Sequence, residues 1–147
     1  MSSYPAALAE WITFFESLPE GERRENLIEL AQQASSHTPK AGERFDFEDV
    51  RHDAECTDTV GVHVRVENGH ARFAMSLGPK VQTLTRAMAV VLCRGLGGST
   101  LAEVIAVPED FVPRIVGAEL VRLRSRTVYY VLHRMKEAAR TLLERAS

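Results

Sequence analysis

The 147-residue chain has few of the features that mark secreted or membrane proteins. It contains two cysteines, Cys56 and Cys93, which are too few for the disulfide framework of a small secreted domain. No run approaches the roughly 20 apolar residues of a membrane-spanning helix. Residues 1–10 lack the basic and apolar regions of a signal peptide. We therefore expect a cytoplasmic protein with reduced thiols and no membrane partner.

The sequence also lacks an excess of charge of either sign, since 18 basic and 20 acidic residues give a net charge of −2. General binding to a polyanion needs a basic surface, because its affinity comes from the release of counterions. We therefore expect no nucleic-acid partner. Motifs of common enzyme classes are missing as well: there is no phosphate-binding glycine loop, GxSxG, HExxH or CxxC.

The charges that are present fall into two poles. Residues 43–58, the acidic segment, hold seven acidic and two basic residues, and residues 114–145, the basic segment, hold eight basic and three acidic ones. The two segments either face each other in the fold, or form separate contact surfaces, or are solvated faces without a partner.

Hydrophobic periodicity predicts two opening helices, over residues 5–17 and about 20–34. Alternation then predicts two strands joined by a type I′ turn at Asn68-Gly69, which places Val64 opposite Phe73. The same alternation places His63 and His70 on the solvent-facing side of the sheet, where we expect solvated side chains. Upstream, Phe45 and Phe47 suggest a third, shorter strand.

Past Pro79 the period is helical again, and a first stripe ends in the glycine-rich run 95–98. Thr100 and Glu103 form a capping box for a short helix through about 106. Another short turn of helix closes near Gly117, and a long helix is predicted from about 125 to 144. This order predicts one α+β domain over 1–147, with a small antiparallel three-stranded sheet and helices on one face.

Cys56 is the principal candidate for chemistry, because it lies between two predicted strands in a polar segment that a structural cysteine would avoid. Acidic neighbours, among them Asp53, Glu55 and Asp58, disfavour its thiolate, so a cation is required. His52 or the arginines near 124 are the candidate cations. Zinc binding by His52, Asp53 and Cys56 is a rival use, and a loop cysteine without a task is the plain alternative.

Two further features complete the list of candidates. Cys93 lies in an apolar stretch and is predicted to be an inert packing thiol. Arg122, Arg124 and Arg126 cluster at the start of the last helix, where the helix dipole already places positive charge. Either the acidic segment or an acidic partner is expected to compensate them. RNA is a weaker explanation, because no aromatic stacking platform accompanies these arginines.

The arrangement as a whole, from about Leu8 to Leu142, resembles the SufE-type (SufE/CsdE-like) sulfur acceptors of iron–sulfur cluster assembly. The resemblance rests on two opening helices around Leu18-Pro19, a lone cysteine before a hairpin, and the later helix with Ala89-Val90-Val91. Leu120 and the Arg124-Ser125 entry to a long last helix complete it.

This resemblance implies a SufE/IscU-like fold and a specific chemistry. In the family, the loop cysteine accepts sulfane sulfur as a persulfide from a cysteine desulfurase (SufS/CsdA-like) and hands it to a cluster scaffold complex. By position the acceptor is Cys56, and Arg124 is the family's arginine, a loop tether or charge partner. The implied protein is a sulfurtransferase-like accessory rather than a stand-alone enzyme. It needs no cofactor and no metal. The resemblance does not decide whether the protein forms a homodimer.

Members of the family usually carry the motif Gly-Cys-x-Ser-x-Val-Trp around the cysteine. Only Cys56 and Val60 of this chain match that motif, so the chain resembles a divergent member. U-type cluster scaffolds share the broad fold, but they need three cysteines and an acidic residue. The alternative function is a non-catalytic module that docks or regulates a desulfurase, or another partner, through its charged surfaces. A zinc-dependent hydrolase is a third candidate function.

Overall fold

The computed structural model describes residues 4–54, 56–117 and 126–146. Helices α1 (Ala6–Glu16) and α2 (Glu20–Gln32) open the chain, and a 3-10 turn (Ala34–His37) follows. The strands are β1 (Phe47–Asp53), β2 (Asp58–Glu67) and β3 (His70–Leu77). The later helices are α3 (Thr83–Leu96), α4 (Leu101–Ala106), α5 (Val112–Val116) and the long α6 (Arg126–Ala146).

The three strands form one antiparallel sheet in the order β1-β2-β3. Asn68 and Gly69 connect β2 and β3 with φ values of 53° and 80°, as a type I′ turn requires. The predicted register is confirmed, since Val64 pairs with Phe73. Because the side-chain period of a strand is two, this register directs every second residue of β2 to the same face.

Helices cover one face of the sheet, as the α+β prediction requires. The alternate β2 residues Val60, Val62 and Val64 are buried in the core, and α3 and α6 pack against the sheet. The capping box of α4 is confirmed: Thr100 Oγ1 accepts a hydrogen bond from the Glu103 amide, and the Glu103 carboxylate accepts one from the Thr100 amide. None of the described helices combines the length and apolar character needed to cross a bilayer.

His63 lies on the other face, as predicted, but the expectation of a solvated side chain is wrong because it is only 5% exposed. Its Nδ1 donates to the Glu48 carboxylate at 2.6 Å, and its Nε2 is 2.8 Å from Ser76 Oγ. The ring of Phe45 lies 5.2 Å from the imidazole, centroid to centroid. Strand alternation assigns a residue to a face, but the segment that precedes β1 supplies the cover. His70 is exposed, as expected.

The acidic and basic segments meet in the fold at α6. Arg134 of α6 contacts Asp49 and Asp53 of β1, and Arg145 Nη1 donates to the main-chain oxygen of Asp46 at 3.4 Å. Of the alternatives that the charge pattern left open, the structure supports an internal pairing of the two poles at these residues.

Candidate functional site

Cys56 lies in the loop that joins β1 to β2, where the sequence places it. Asp53 and Asp58 pair across the two strand ends, so residues 54–57 form a four-residue connection. The Cys56 amide donates to the main-chain oxygen of Asp53 at 3.2 Å. Thr57 has a φ of 59°, in the left-handed region that β-branched residues rarely adopt. The loop is therefore a tight turn with a strained residue next to the cysteine.

The side chain of Cys56 corrects the expectation of a thiol without apolar surroundings. It is 1% exposed and belongs to the hydrophobic core cluster. The polar residues of this segment are its neighbours along the chain, whereas its packing partners come from the core. Local composition therefore described the loop correctly and the environment of the sulfur incorrectly.

The exit of the loop is held by Asp58. Its carboxylate accepts hydrogen bonds of 2.7 Å from the main-chain amides of Lys80 and Thr59. These two donors, that of Lys80 first, lower the pKa of Asp58. A Cβ on Gly78 would stand within 2.4 Å of this carboxylate, so the glycine leaves room for the contact. Asp58 therefore ties the start of β2 to the segment between β3 and α3.

The entrance of the loop is held by an arginine that is not among the predicted site residues. Arg134 is 2% exposed and is the largest fully buried side chain in the described part of the chain. Its Nη1 is 3.7 Å from Asp53 Oδ2, and Asp53 is itself buried. One signal was available: Arg134 follows Val131 by three residues and precedes Ala138 by four, which places it on the apolar stripe of the last helix.

The other proposed cations are placed differently. His52 is exposed on β1. Arg126 begins α6 and is exposed, whereas Arg122 and Arg124 lie outside the described residues, as does Glu55. The role predicted for Arg124 therefore stays a prediction. Among the described residues, no three or more histidine, cysteine or acidic side chains are grouped to hold a metal ion, so His52, Asp53 and Cys56 do not form the zinc site considered above.

Cys93 differs from Cys56 in its position on a regular element. It lies in α3 and is buried, as predicted for a packing thiol. Burial raises the pKa of the Cys93 thiol from its ordinary value of 9.0 to about 12. Because the thiolate is the nucleophile, this thiol is inert near neutral pH.

Comparison with known proteins identifies the family. A family model described as "SufE: Fe-S metabolism associated domain" matches residues 9–139. The chain belongs to the SufE family. SufE-like proteins of two Mycobacterium tuberculosis strains, both named as uncharacterized, are 29% identical to this SufE-family chain over 140 residues, which is 95% of each partner in the alignment.

A solved structure has the same fold. The solution structure of a hypothetical protein from Thermus thermophilus superposes with a TM-score of 0.74 at 27% identity, and the match covers 96% of this chain and 98% of that one. The SufE-family assignment gives the chain a role in Fe–S metabolism. The resemblance inferred from the sequence is thereby confirmed at the level of family and fold.

Proposed function

We propose that this protein is a sulfur acceptor that takes persulfide sulfur from a cysteine desulfurase onto Cys56 and stimulates that enzyme. A cluster scaffold complex is the proposed recipient. The observation that carries the proposal is the position of Cys56 in a short loop between β1 and β2 of a SufE-family fold. Cys93 is a poor alternative acceptor, because its raised pKa keeps the thiol protonated, and this supports Cys56 as the acceptor.

The transfer is an exchange between a thiolate and a persulfide. The Cys56 thiolate attacks the terminal sulfur of the persulfide on the desulfurase cysteine. A new sulfur–sulfur bond forms on Cys56 while the bond on the desulfurase breaks, and the desulfurase cysteine leaves as a thiolate. That thiolate takes up the proton that Cys56 lost, so the step needs no external oxidant or reductant.

The exchange requires the loop to open, because a sulfur that is 1% exposed cannot meet a second protein. A four-residue connection can open without breaking the sheet, since the strand pairing ends at Asp53 and Asp58. The left-handed φ of Thr57 favours this motion, because opening relieves a conformation that is costly for a β-branched residue. Burial at rest also protects the thiol from oxidation.

The test is to incubate the protein with a cysteine desulfurase and cysteine, and to map added sulfur by mass spectrometry. We expect one extra sulfur atom on Cys56, and none in Cys56→Ser. Cys93→Ala is the matched control and should retain the modification of Cys56. Added sulfur on Cys93, or on neither cysteine, contradicts the proposal.

A second candidate is a non-catalytic module that docks on a desulfurase or another partner through its charged surfaces. The burial of Cys56 favours it, because a docking module needs no accessible thiol. The two functions differ in the activity of Cys56→Ser. Loss of desulfurase stimulation supports sulfur transfer, whereas full stimulation by the variant supports docking.

A further inference from the structure

Arg134 is a charged side chain in the protein interior, and its two ends are held differently. At one end, Nε donates to Asp49 Oδ2 at 3.2 Å and Nη2 donates to the main-chain oxygen of Asp49 at 2.6 Å. Burying a guanidinium is costly unless charge and hydrogen bonds compensate it. Asp49 supplies both, so this end of Arg134 fixes α6 to the middle of β1.

The other end is looser. Arg134 Nη1 lies 3.7 Å from Asp53 Oδ2 and makes no hydrogen bond within the described residues. This contact is therefore electrostatic attraction at a distance beyond hydrogen bonding. Asp53 is the last residue of β1, and its main-chain oxygen accepts the Cys56 amide. A chain of contacts thus runs from Arg134 through Asp53 to the backbone of the cysteine.

We propose that Arg134 is a positioning residue that holds the Cys56 loop in its closed state. The proposal rests on the proposed function, because only an acceptor needs the sulfur to emerge. Opening breaks the looser contact with Asp53, while the hydrogen bonds to Asp49 keep α6 on the sheet. Asp58 holds the far end of the loop, so opening releases at most the terminal Asp53–Asp58 pair of the sheet. Arg134 thereby lowers the fraction of time for which Cys56 is reachable.

The two cysteines provide an internal test of this idea that uses no desulfurase. Alkylation by iodoacetamide, followed for each cysteine by mass spectrometry, reports loop opening at Cys56 and wider unfolding at Cys93. In Arg134→Met we expect Cys56 to react about tenfold faster or more, because the buried carboxylate of Asp53 loses the guanidinium that faces it. Cys93 should react at its original rate. Arg134→Lys, which keeps the charge, should lie between the wild type and Arg134→Met.

Two more variants keep the test decisive. Asp53→Asn removes the charge at the loop end with little change of shape, so it serves even where Arg134→Met folds poorly. Asp53→Asn should accelerate the alkylation of Cys56 and leave that of Cys93 unchanged. In the double variant with Arg134→Met, the increase in the Cys56 rate should be smaller than the product of the two single increases. Arg114→Gln is the matched control, because Arg114 pairs with Glu16 on the surface with both side chains about 42–43% exposed. It should change neither rate.

The proposal is overturned if Cys56 reacts at the wild-type rate in both Arg134→Met and Asp53→Asn. It is also overturned if Cys56 and Cys93 accelerate in parallel in both variants, because that reports general destabilisation. The outcome is separable from the proposed function. A failure of sulfur transfer with normal loop control would show that the loop opens for a different reaction.

Discussion

Gly61→Ala tests the packing of the sheet face that carries His63. Gly61 lies opposite Ser76 on one side and Val50 on the other. A Cβ at this position would stand 2.2 Å from Ser76 Oγ, 2.8 Å from His63 Nε2 and 2.9 Å from Val50 Cγ2. Val50 is exposed and can rotate away, whereas the hydroxyl can move only by leaving the imidazole. The substitution therefore breaks the hydrogen bond between Ser76 and His63.

The expected cost follows from what remains buried. A buried polar atom left without its partner costs about 1–3 kcal/mol. Replacing glycine by alanine in a strand raises the free energy of unfolding by about 0.4–1 kcal/mol, mainly because alanine restricts the unfolded chain. We expect Gly61→Ala to lower the free energy of unfolding by about 1–2 kcal/mol in net terms, which is a fall of roughly 3–6 °C in Tm for a chain of this length.

Urea unfolding followed by circular dichroism, on a double-mutant cycle, is the assay. Ser76→Ala removes the hydroxyl that would be displaced, so Gly61→Ala should cost about 1 kcal/mol less in that background than in the wild type. A Gly61→Ala protein as stable as the wild type would refute this reasoning. An equal cost in both backgrounds would refute it as well, since the clash would then not act through Ser76.

Three other outcomes are expected from the fold. Gly69→Val places a β-branched residue at a φ of 80° and should cost about 1 kcal/mol or more in urea unfolding; an unchanged midpoint would contradict the turn. Phe73→Ala, in the core of β3, should cost about 3–5 kcal/mol by the same measurement. The Cys93 thiol ionises in the unfolded chain near pH 9 and in the folded protein near pH 12, so its contribution to stability is complete below pH 9 and is lost as the pH rises towards 12. Cys93→Ala should therefore lose stability less steeply than the wild type over that range, and identical slopes would argue against a buried Cys93.

The local elements of this protein were predictable because their signals lie within a few residues of one another. Asn68-Gly69 fixes a two-residue turn, and the alternation on both sides of it then fixes the register that pairs Val64 with Phe73. Thr100 and Glu103 are three residues apart and cap a helix that needs no other part of the chain. The family resemblance was also readable, because it depends on the order of such elements and on one cysteine before a hairpin.

The sequence by itself therefore determined the hairpin with its turn, the helices and the loop in which Cys56 lies, whereas the third strand spans Phe47–Asp53 and does not include Phe45. Only the tertiary structure decided what surrounds the candidate residues, because packing joins residues that are far apart in the chain. Phe45, in the segment that precedes β1, covers His63, and Arg134 reaches Asp49 from 85 positions away. Cys56 is buried for the same reason, since its polar neighbours in sequence are not its neighbours in space.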